Sequence, residues 1–275
     1  MTGNGEPPEA SQAFYVYCIA AAGAAAEIAV DSLPGAIEDD TAIELIPVDS
    51  LTAVVSRVPL VSYAEENLTQ NLTDATWTAV RAMRHQQVVE HFSRRTSVVP
   101  LRFGTIYLEL AGVERMLTER KQELTEIIDR LRGCEEWGIN LYSDRKALTA
   151  VIDSLSPRLR ELNEQVATAS PGQSYLLKKK TETLRADECR RELQRIASEV
   201  DDSLRQFCED AKRLRVLKVE ATEYGELTVK FAFLIKRNSF EEFRAAAERL
   251  ARKHEKIGVR LELTGPWPAY NFTGE

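Results

Sequence analysis

Two stretches of heptad-spaced apolar residues, separated by a short break, constrain the fold of this chain most strongly. In the first stretch the intervals alternate between four and three residues, as in a coiled-coil seam: Leu148, Ile152, Leu155, Leu159, Leu162 and Val166. The second stretch, within a helix predicted from about Ser174 to Arg213, continues the rhythm: Cys189, Leu193, Ile196, Val200, Ser203, Phe207, Ala211 and Leu214. The break is Ala169-Ser170-Pro171-Gly172. Because it is so short, the two helices must fold back on each other, which predicts an antiparallel helical hairpin over residues 143–213.

The rest of the chain shows the same order of elements twice. Strand patterns at residues 13–20, 42–48, 51–58 and 98–103 alternate with helical patterns at 23–30 and from Thr73 or Asp74 to Arg95, and a further helix is predicted over 112–131. Strand patterns return at 137–142, 215–221, 227–236 and 259–263, with a helix over 239–255. Each series reads β-α-β-β-α-β, which is typical of a ferredoxin-like domain. In the second series the hairpin takes the place of the first helix.

These patterns predict an α+β protein with two ferredoxin-like domains. Residues 1–12 are expected to form a disordered lead, 13–134 the first domain, and 135–275 the second domain with the hairpin at 143–213 and a tail at 264–275. About 25 residues of helix extend roughly 37 Å, which exceeds the width of an ordinary small domain. We therefore expect the tip of the hairpin to project into solvent or onto a partner.

The charge of the chain argues against nucleic-acid binding. The net charge is −7, and residues 1–134 hold 11 Lys and Arg against 19 Asp and Glu, whereas the remainder is almost balanced. A general nucleic-acid binder would carry a basic surface. The apolar run at residues 14–30 contains Glu27 and is too short to span a bilayer. The four cysteines (Cys18, Cys134, Cys189 and Cys208) have no metal-binding spacing, and we interpret them as reduced thiols, with Cys189 and Cys208 on one helix.

The sequence offers no catalytic motif. Phosphate-binding glycine loops, the nucleophile elbow and the zincin motif are all missing from the sequence, and its carboxylates are scattered. We therefore expect no catalytic, cofactor-binding or metal-binding residues and no enzyme activity.

The helix predicted to end at Arg95 carries two histidines. His85 and His91 lie six residues apart, more than 100° apart around the helix axis, so they do not form a shared metal site. Arg84 and His91 fall inside the apolar stripe formed by Trp77, Val80, Val88 and Phe92. We interpret this face as core that contains a paired arginine and a hydrogen-bonded histidine, because buried charges are normally paired.

A basic triplet follows the predicted hairpin turn. Lys178-Lys179-Lys180 is suited to an anionic partner, but a solvated helix face is the more common meaning of an isolated triplet, and Glu182, Asp187 and Glu188 balance it.

Two short motifs are more specific. VPLRFGT at residues 99–105 places a proline in a strand pattern, which indicates an edge strand or a strand start, and TGPWPAYNF at residues 264–272 is a rigid aromatic tail. Together with FYVYCIA at residues 14–20, LTAVVS at 51–56, the helix containing His85 and the strand at 137–141, these motifs resemble the gas vesicle protein F/L family over residues 13–272. Nothing in the motifs distinguishes the F branch from the L branch.

The resemblance implies a minor, non-enzymatic protein of the cytoplasm and the gas vesicle. Such a protein would help to assemble the vesicle by binding the main hydrophobic shell protein, and other minor gas vesicle proteins are further expected partners. The edge of the first domain's sheet and the hairpin are the candidate surfaces. Two alternatives remain: a coiled-coil regulator unrelated to gas vesicles, which would leave an apolar stripe exposed on the hairpin, and an enzyme with a site between the domains.

Overall fold

The structure is a computed structural model that describes residues 12–28, 33–216 and 221–274. Contacts divide the chain into two units. The first unit consists of Met1–Glu135 and Trp267–Glu275, and the second of Glu136–Pro266. The expected lead at residues 1–12 lies outside the described residues, apart from Gln12, which begins the first strand.

The first unit contains an antiparallel sheet. Its strands are β1 (Gln12–Ala21), β2 (Ile43–Val48), β3 (Leu51–Pro59), β4 (Val98–Pro100) and β5 (Ile106–Tyr107). The order is β2-β3-β1-β4, with β5 also paired to β1, and β3 and β4 run antiparallel to β1. Asp49 turns the β2–β3 hairpin with φ at +53°, a left-handed conformation that Asp tolerates better than most residues. This is the predicted ferredoxin-like order.

Within the described residues, six helices accompany this sheet. They are α1 (Ala22–Ala26), α2 (Leu60–Tyr63), α3 (Glu65–Asn71), α4 (Ala75–Ser93), α5 (Leu110–Glu119) and α6 (Lys121–Leu131). The Asp74 side chain caps α4 by accepting hydrogen bonds from the backbone N–H groups of Thr76 and Trp77, as its residue type predicts. The sequence patterns did not reveal α2, α3 or β5, and the helix predicted over 112–131 is split at Arg120. The predicted end of the first helix lies partly outside the described residues.

Strand β1 lies at the centre of the first unit, and side chains on both of its faces are buried. Tyr15 and Tyr17 pack with Val88, Val89 and Phe92 of α4 in one core cluster. Helices α5 and α6 also contact β1. An antiparallel sheet with both faces covered leaves its edges as its accessible part.

The tail corrects the expected domain boundary. The sequence patterns predict that residues 264–275 are a tail of the second domain, but residues from Trp267 onward group with the first unit. The physical reason is burial: Tyr270–Phe272 forms a 3₁₀ turn, and the Phe272 side chain is fully buried. Arg130 donates a hydrogen bond to the carbonyl oxygen of Phe272. The first unit is thus built from two separate parts of the sequence.

The second unit repeats the strand order of the first. Its elements are β6 (Cys134–Ser143), α7 (Arg145–Leu155), α8 (Pro157–Thr168), α9 (Pro171–Arg205), β7 (Asp210–Leu214), β8 (Ala221–Thr222), β9 (Gly225–Lys236), α10 (Phe240–Glu255) and β10 (Val259–Trp267). The sheet order is β10-β6-β9-β7, with β8 paired to β9. The predicted fold class, two ferredoxin-like units with the first helix of the second expanded, is therefore confirmed. No helix in the described parts of the chain is long and apolar enough to cross a membrane.

Helices α7 and α8 pack against α9 as the predicted antiparallel hairpin. Thr149 contacts Cys189, and Asp153 accepts two hydrogen bonds from Arg185. Residues later in α7 thus contact residues earlier in α9, which shows that the two helices run antiparallel. The buried Glu188 accepts a hydrogen bond from the Ser156 hydroxyl at 2.8 Å and pairs with Arg191 at 2.6 Å. The contacts of Thr149, Asp153 and Ser156 with α9 fix the register of the hairpin, and the pair with Arg191 lies within α9.

Two details of the predicted hairpin and the position of the strand after it are wrong. Its first helix breaks at Pro157, where Ser156 caps α8, because proline is favoured at a first helical position. The second helix ends at Arg205 rather than Arg213, so Cys208 lies beyond it and Ala211 and Leu214 lie on β7. Strand β7 thus ends just before the strand predicted over residues 215–221 begins. Residues 217–220 of that predicted strand lie outside the described residues.

The core of the second unit lies between its sheet and two helices. Side chains of β6 and β9 pack with Ile196, Val200 and Leu204 of α9 and with Phe243 and Leu250 of α10. The C-terminal part of α9 therefore belongs to the domain core, and only its N-terminal part is free to project with the hairpin.

Replacing Phe272 by alanine tests the assignment of the tail. Removal of a fully buried phenylalanine is expected to destabilise the first unit by about 3–5 kcal/mol, because it leaves a cavity in addition to the lost burial. Chemical denaturation of the full chain measures this change. The control is Leu108→Ala, a truncation at a side chain that is 66% exposed, with an expected change within about 0.5 kcal/mol. Equal effects of the two variants would show that the tail does not contribute to the core.

Candidate functional site: the His85 cluster and the exposed edge of the first unit

His85 lies at the centre of an aromatic cluster in the first unit, and only 3% of it is exposed. Helix α4 directs its ring toward β1, where Nδ1 lies 2.8 Å from the Tyr15 hydroxyl oxygen. The Tyr17 ring stacks on the imidazole with a centroid distance of 5.7 Å and an angle of 27°. We call the side chains of Tyr15, Tyr17, His85, Phe103 and Tyr270 the His85 cluster.

The VPLRFGT motif builds one wall of the His85 cluster. The N–H of Leu101 donates to the Tyr17 carbonyl oxygen at 2.9 Å, which extends the pairing of β4 with β1. The N–H of Gly104 donates to the Tyr15 hydroxyl at 3.1 Å. Gly104 has φ at +85°, which favours glycine at this turn. The Phe103 ring stands edge-on to His85 at 5.9 Å.

The TGPWPAYNF motif supplies the opposite contact. The Tyr270 hydroxyl lies 3.1 Å from Nε2 of His85 and donates to Oε1 of Gln86 at 3.3 Å. All donors and acceptors are matched when His85 carries its proton on Nε2 and accepts the Tyr15 proton at Nδ1. The two most specific sequence motifs therefore meet on one histidine.

Burial keeps the His85 cluster uncharged. Desolvation lowers the pKa of His85 to about 4, although a hydrogen bond to the backbone of Leu101 opposes the shift. Desolvation likewise raises the pKa values of Tyr15 and Tyr270, and it raises the pKa of Tyr17 to about 12. Neutral, mutually hydrogen-bonded groups of this kind stabilise and orient a core.

The interpretation of α4 as a core face is correct in part. Arg84 is paired as expected, with Asp39 at 2.6 Å and with the carbonyl oxygen of Ile37 at 3.1 Å. The hydrogen-bonded histidine, however, is His85 and not His91, which is half-buried and whose Nε2 has no hydrogen-bond partner among the described residues. Desolvation lowers the pKa of His91 as well.

An ion pair that the sequence patterns did not reveal supports the same face of α4. Arg81 forms a two-pronged contact with the carboxylate of Glu38 at 2.8 and 2.9 Å. Tyr63 donates to the same carboxylate. Planar guanidinium–carboxylate pairing of this kind fixes direction as well as energy. Because Glu38 and Arg81 are far apart in sequence, only the fold brings them together.

The first sheet has two edge strands in its described order, β2 and β4. All residues of β4 are buried, so β2 is the more exposed edge. Within the described residues this strand pairs only with β3, over Ile43 to Val48. Pro47 has no N–H to donate, and Val48 and Leu51 flank a two-residue turn as a bonded pair. By alternation, Ile43, Leu45 and Pro47 direct their backbone groups away from β3. The edge therefore offers the two N–H groups of Ile43 and Leu45.

The basic triplet lies near the tip of the hairpin. Lys178, Lys179 and Lys180 are exposed on α9, about two turns from its start, beside the exposed Tyr175 and Leu176. No group of three or more metal-ligating side chains comes together among the residues searched, which are those that the structure describes.

The lowered pKa of His85 predicts a pH dependence of stability. In the unfolded state His85 binds a proton near pH 6.5, and in the folded state only near pH 4. The contribution of neutral His85 to the free energy of unfolding is therefore fully present above pH 6.5 and decreases as the pH falls toward 4. The loss reaches about 3 kcal/mol at the lower end. Denaturation curves of the wild type and of His85→Gln between pH 7 and pH 4 measure it as a difference. Parallel curves for the two proteins would contradict the assignment.

Comparisons with known proteins agree with these features. The family model for "Gas vesicle synthesis protein GvpL/GvpF" matches residues 13–274. Gas vesicle protein L of a Streptomyces species is 28% identical and covers 82% of this chain and 80% of its own length. Gas vesicle protein L1 of Halobacterium salinarum is also 28% identical, with 99% and 94% covered.

Solved structures support the fold. The crystal structure of gas vesicle protein GvpF from Anabaena superposes with a TM-score of 0.68 at 19% identity, covering 96% of this chain and 97% of that chain. The GvpF structure from Microcystis aeruginosa gives a TM-score of 0.63 at 18% identity. Since the family model spans nearly all of the chain, including both motifs that meet at His85, this protein belongs to the gas vesicle GvpL/GvpF family.

Proposed function

We propose that this protein is a non-enzymatic assembly factor that binds the main shell protein of the gas vesicle in the cytoplasm during nucleation or growth. Family membership supports a role in gas vesicle formation. The specific step, binding of the shell protein, rests on the exposed edge strand β2. Other minor gas vesicle proteins are further proposed partners.

The observation that carries this proposal is the character of β2. Its side chains are apolar at Ile43, Leu45, Ile46 and Val48, and all four are half-buried. Natural proteins usually protect such an edge, because its unpaired backbone groups can form hydrogen bonds with a strand of another molecule. Here a single proline, Pro47, blocks one end, and the other end remains available for pairing.

Strand addition suits an apolar partner that stacks through its own strand edges. Main-chain hydrogen bonds provide affinity, and alternate side chains provide specificity. Because β2 offers only two outward N–H groups, the contact is short. A short contact with few hydrogen bonds binds a shell subunit reversibly, and an assembly factor must release the subunit after delivering it.

The two rival functions find less support. A coiled-coil regulator requires an apolar stripe that is exposed on the hairpin. The heptad residues of the hairpin are instead buried between its own helices: Leu148, Ile152, Leu159 and Leu162. An enzyme requires reactive groups that reach a substrate, whereas the strongly shifted His85 lies in a closed core. We propose that the hairpin acts as a spacer in shell binding and that the first unit carries the contact with the shell protein.

The test is Ile43→Pro in the full chain. Proline is tolerated at a strand start but removes one of the two outward N–H groups, so we expect shell-protein binding to weaken about five- to tenfold. Affinity is measured by titrating immobilised full-length protein with shell protein kept in mild detergent.

The matched control is Ile43→Ala, which removes the same side chain but keeps the N–H, and we expect its affinity to stay within about twofold of the wild type. Equal affinities for the proline and alanine variants would exclude strand addition at β2. Fragments divided at residue 134 are unsuitable, because they separate the first unit from Tyr270 and Phe272.

A further inference from the structure

The tip of the hairpin is basic and partly apolar, unlike the rest of α9. Tyr175 and Leu176 are 68% and 67% exposed, and Lys178, Lys179 and Lys180 follow them within one turn. The sequence has no carboxylate between Glu164 and Glu182. We call Tyr175, Leu176 and the three lysines the tip face.

The lysines of the tip face differ from the other cations of α9. Arg185 pairs with Asp153, Arg191 with Glu188, and Arg195 with Glu192. In the described parts of the chain no ion pair involves Lys178, Lys179 or Lys180. The positive charge of the tip face is thus left for a partner.

The first unit carries a surface of the opposite character. Val61, Leu72 and Met83 are 78%, 42% and 57% exposed, and Val80 lies one turn before Met83 on α4. The exposed Glu65 and Glu66 form the first turn of α3 and make no ion pair within the described residues. We call these six residues the acidic face.

Hydrogen bonds hold the elements of the acidic face together. Asn71 at the end of α3 donates to the carbonyl oxygen of Ser62 in α2 at 3.1 Å. Thr78 of α4 donates to the carbonyl oxygen of Leu72 at 3.3 Å. No lysine or arginine occurs between Arg57 and Arg81. Helices α2 and α3 therefore present apolar groups beside carboxylates. The two arginines that flank Met83 on α4, Arg81 and Arg84, are already paired with Glu38 and Asp39.

We propose that the tip face of one molecule docks on the acidic face of a second copy of this protein. Tyr175 and Leu176 cover the exposed valines, leucine and methionine, while the lysines neutralise Glu65 and Glu66. The two faces are opposite in charge, and both carry exposed apolar side chains that the contact would bury. Because the two faces differ, the contact is heterologous, and each molecule has one of each to offer, so molecules join head to tail.

The test uses charge exchange in the full chain, measured by sedimentation equilibrium. The wild type should self-associate at about 0.01 M salt, where the Debye length is about 30 Å, and associate at least tenfold more weakly at about 1 M, where it is about 3 Å. The variant K178E/K179E/K180E and the variant E65K/E66K should each self-associate at least tenfold more weakly than the wild type at low salt. An equimolar mixture of the two variants should recover association, since the acidic tip of one fits the basic face of the other.

A matched control separates docking from net charge. Glu241 and Glu242 form the first turn of α10, as Glu65 and Glu66 do in α3, so E241K/E242K changes the net charge equally and should associate like the wild type. A wild type that stays monomeric up to about 1 mM at low salt, or a mixture that fails to recover association, would overturn the proposal. Shell-protein binding by the charge variants should equal that of the wild type, which keeps this test independent of the β2 edge.

Discussion

The hydrogen bonds of His85 organise the first unit, because they join three distant parts of the sequence. Tyr15 comes from the first strand, Gly104 fixes the Tyr15 hydroxyl from the loop after β4, and Tyr270 arrives from beyond the whole second unit. Each ring nitrogen of a buried histidine that lacks a partner costs stability. The three segments must therefore be in place together, and this requirement makes the first unit one cooperative structure although its sequence is discontinuous.

The same strand order serves two purposes in the two units. In the first, the connection between β1 and β2 contains only the short helix α1 among its described residues, and β2 remains at an accessible edge. In the second, the corresponding connection holds α7, α8 and α9, with a buried Glu188 that fixes their register. One scaffold thus presents backbone groups at a sheet edge in one unit and side chains on a long arm in the other.

The sequence predicted the elements that repeat a strong local pattern, and it failed where tertiary contacts decide. The strand order, the cap at Asp74 and the hairpin followed from periodicity and turn residues. The end of α9 was placed too late because Ala211 and Leu214 continue the heptad spacing, although they pack as part of β7. The pairing of His85 with Tyr270 and of Arg81 with Glu38 was not predictable, since no local signal reports which distant side chains meet.

The position of the tail also bears on the order of events during synthesis. Tyr270 and Phe272 complete the core of the first unit, yet the ribosome makes them only after the entire second unit. Domains generally fold in the order in which they emerge, and the N-terminal one comes first. Here the first unit lacks Tyr270 and Phe272 until the second unit has been synthesised. Its edge strand and aromatic core are consequently exposed for longest in the nascent chain, so the time spent in translation of the second unit becomes a vulnerable interval for misfolding of the first.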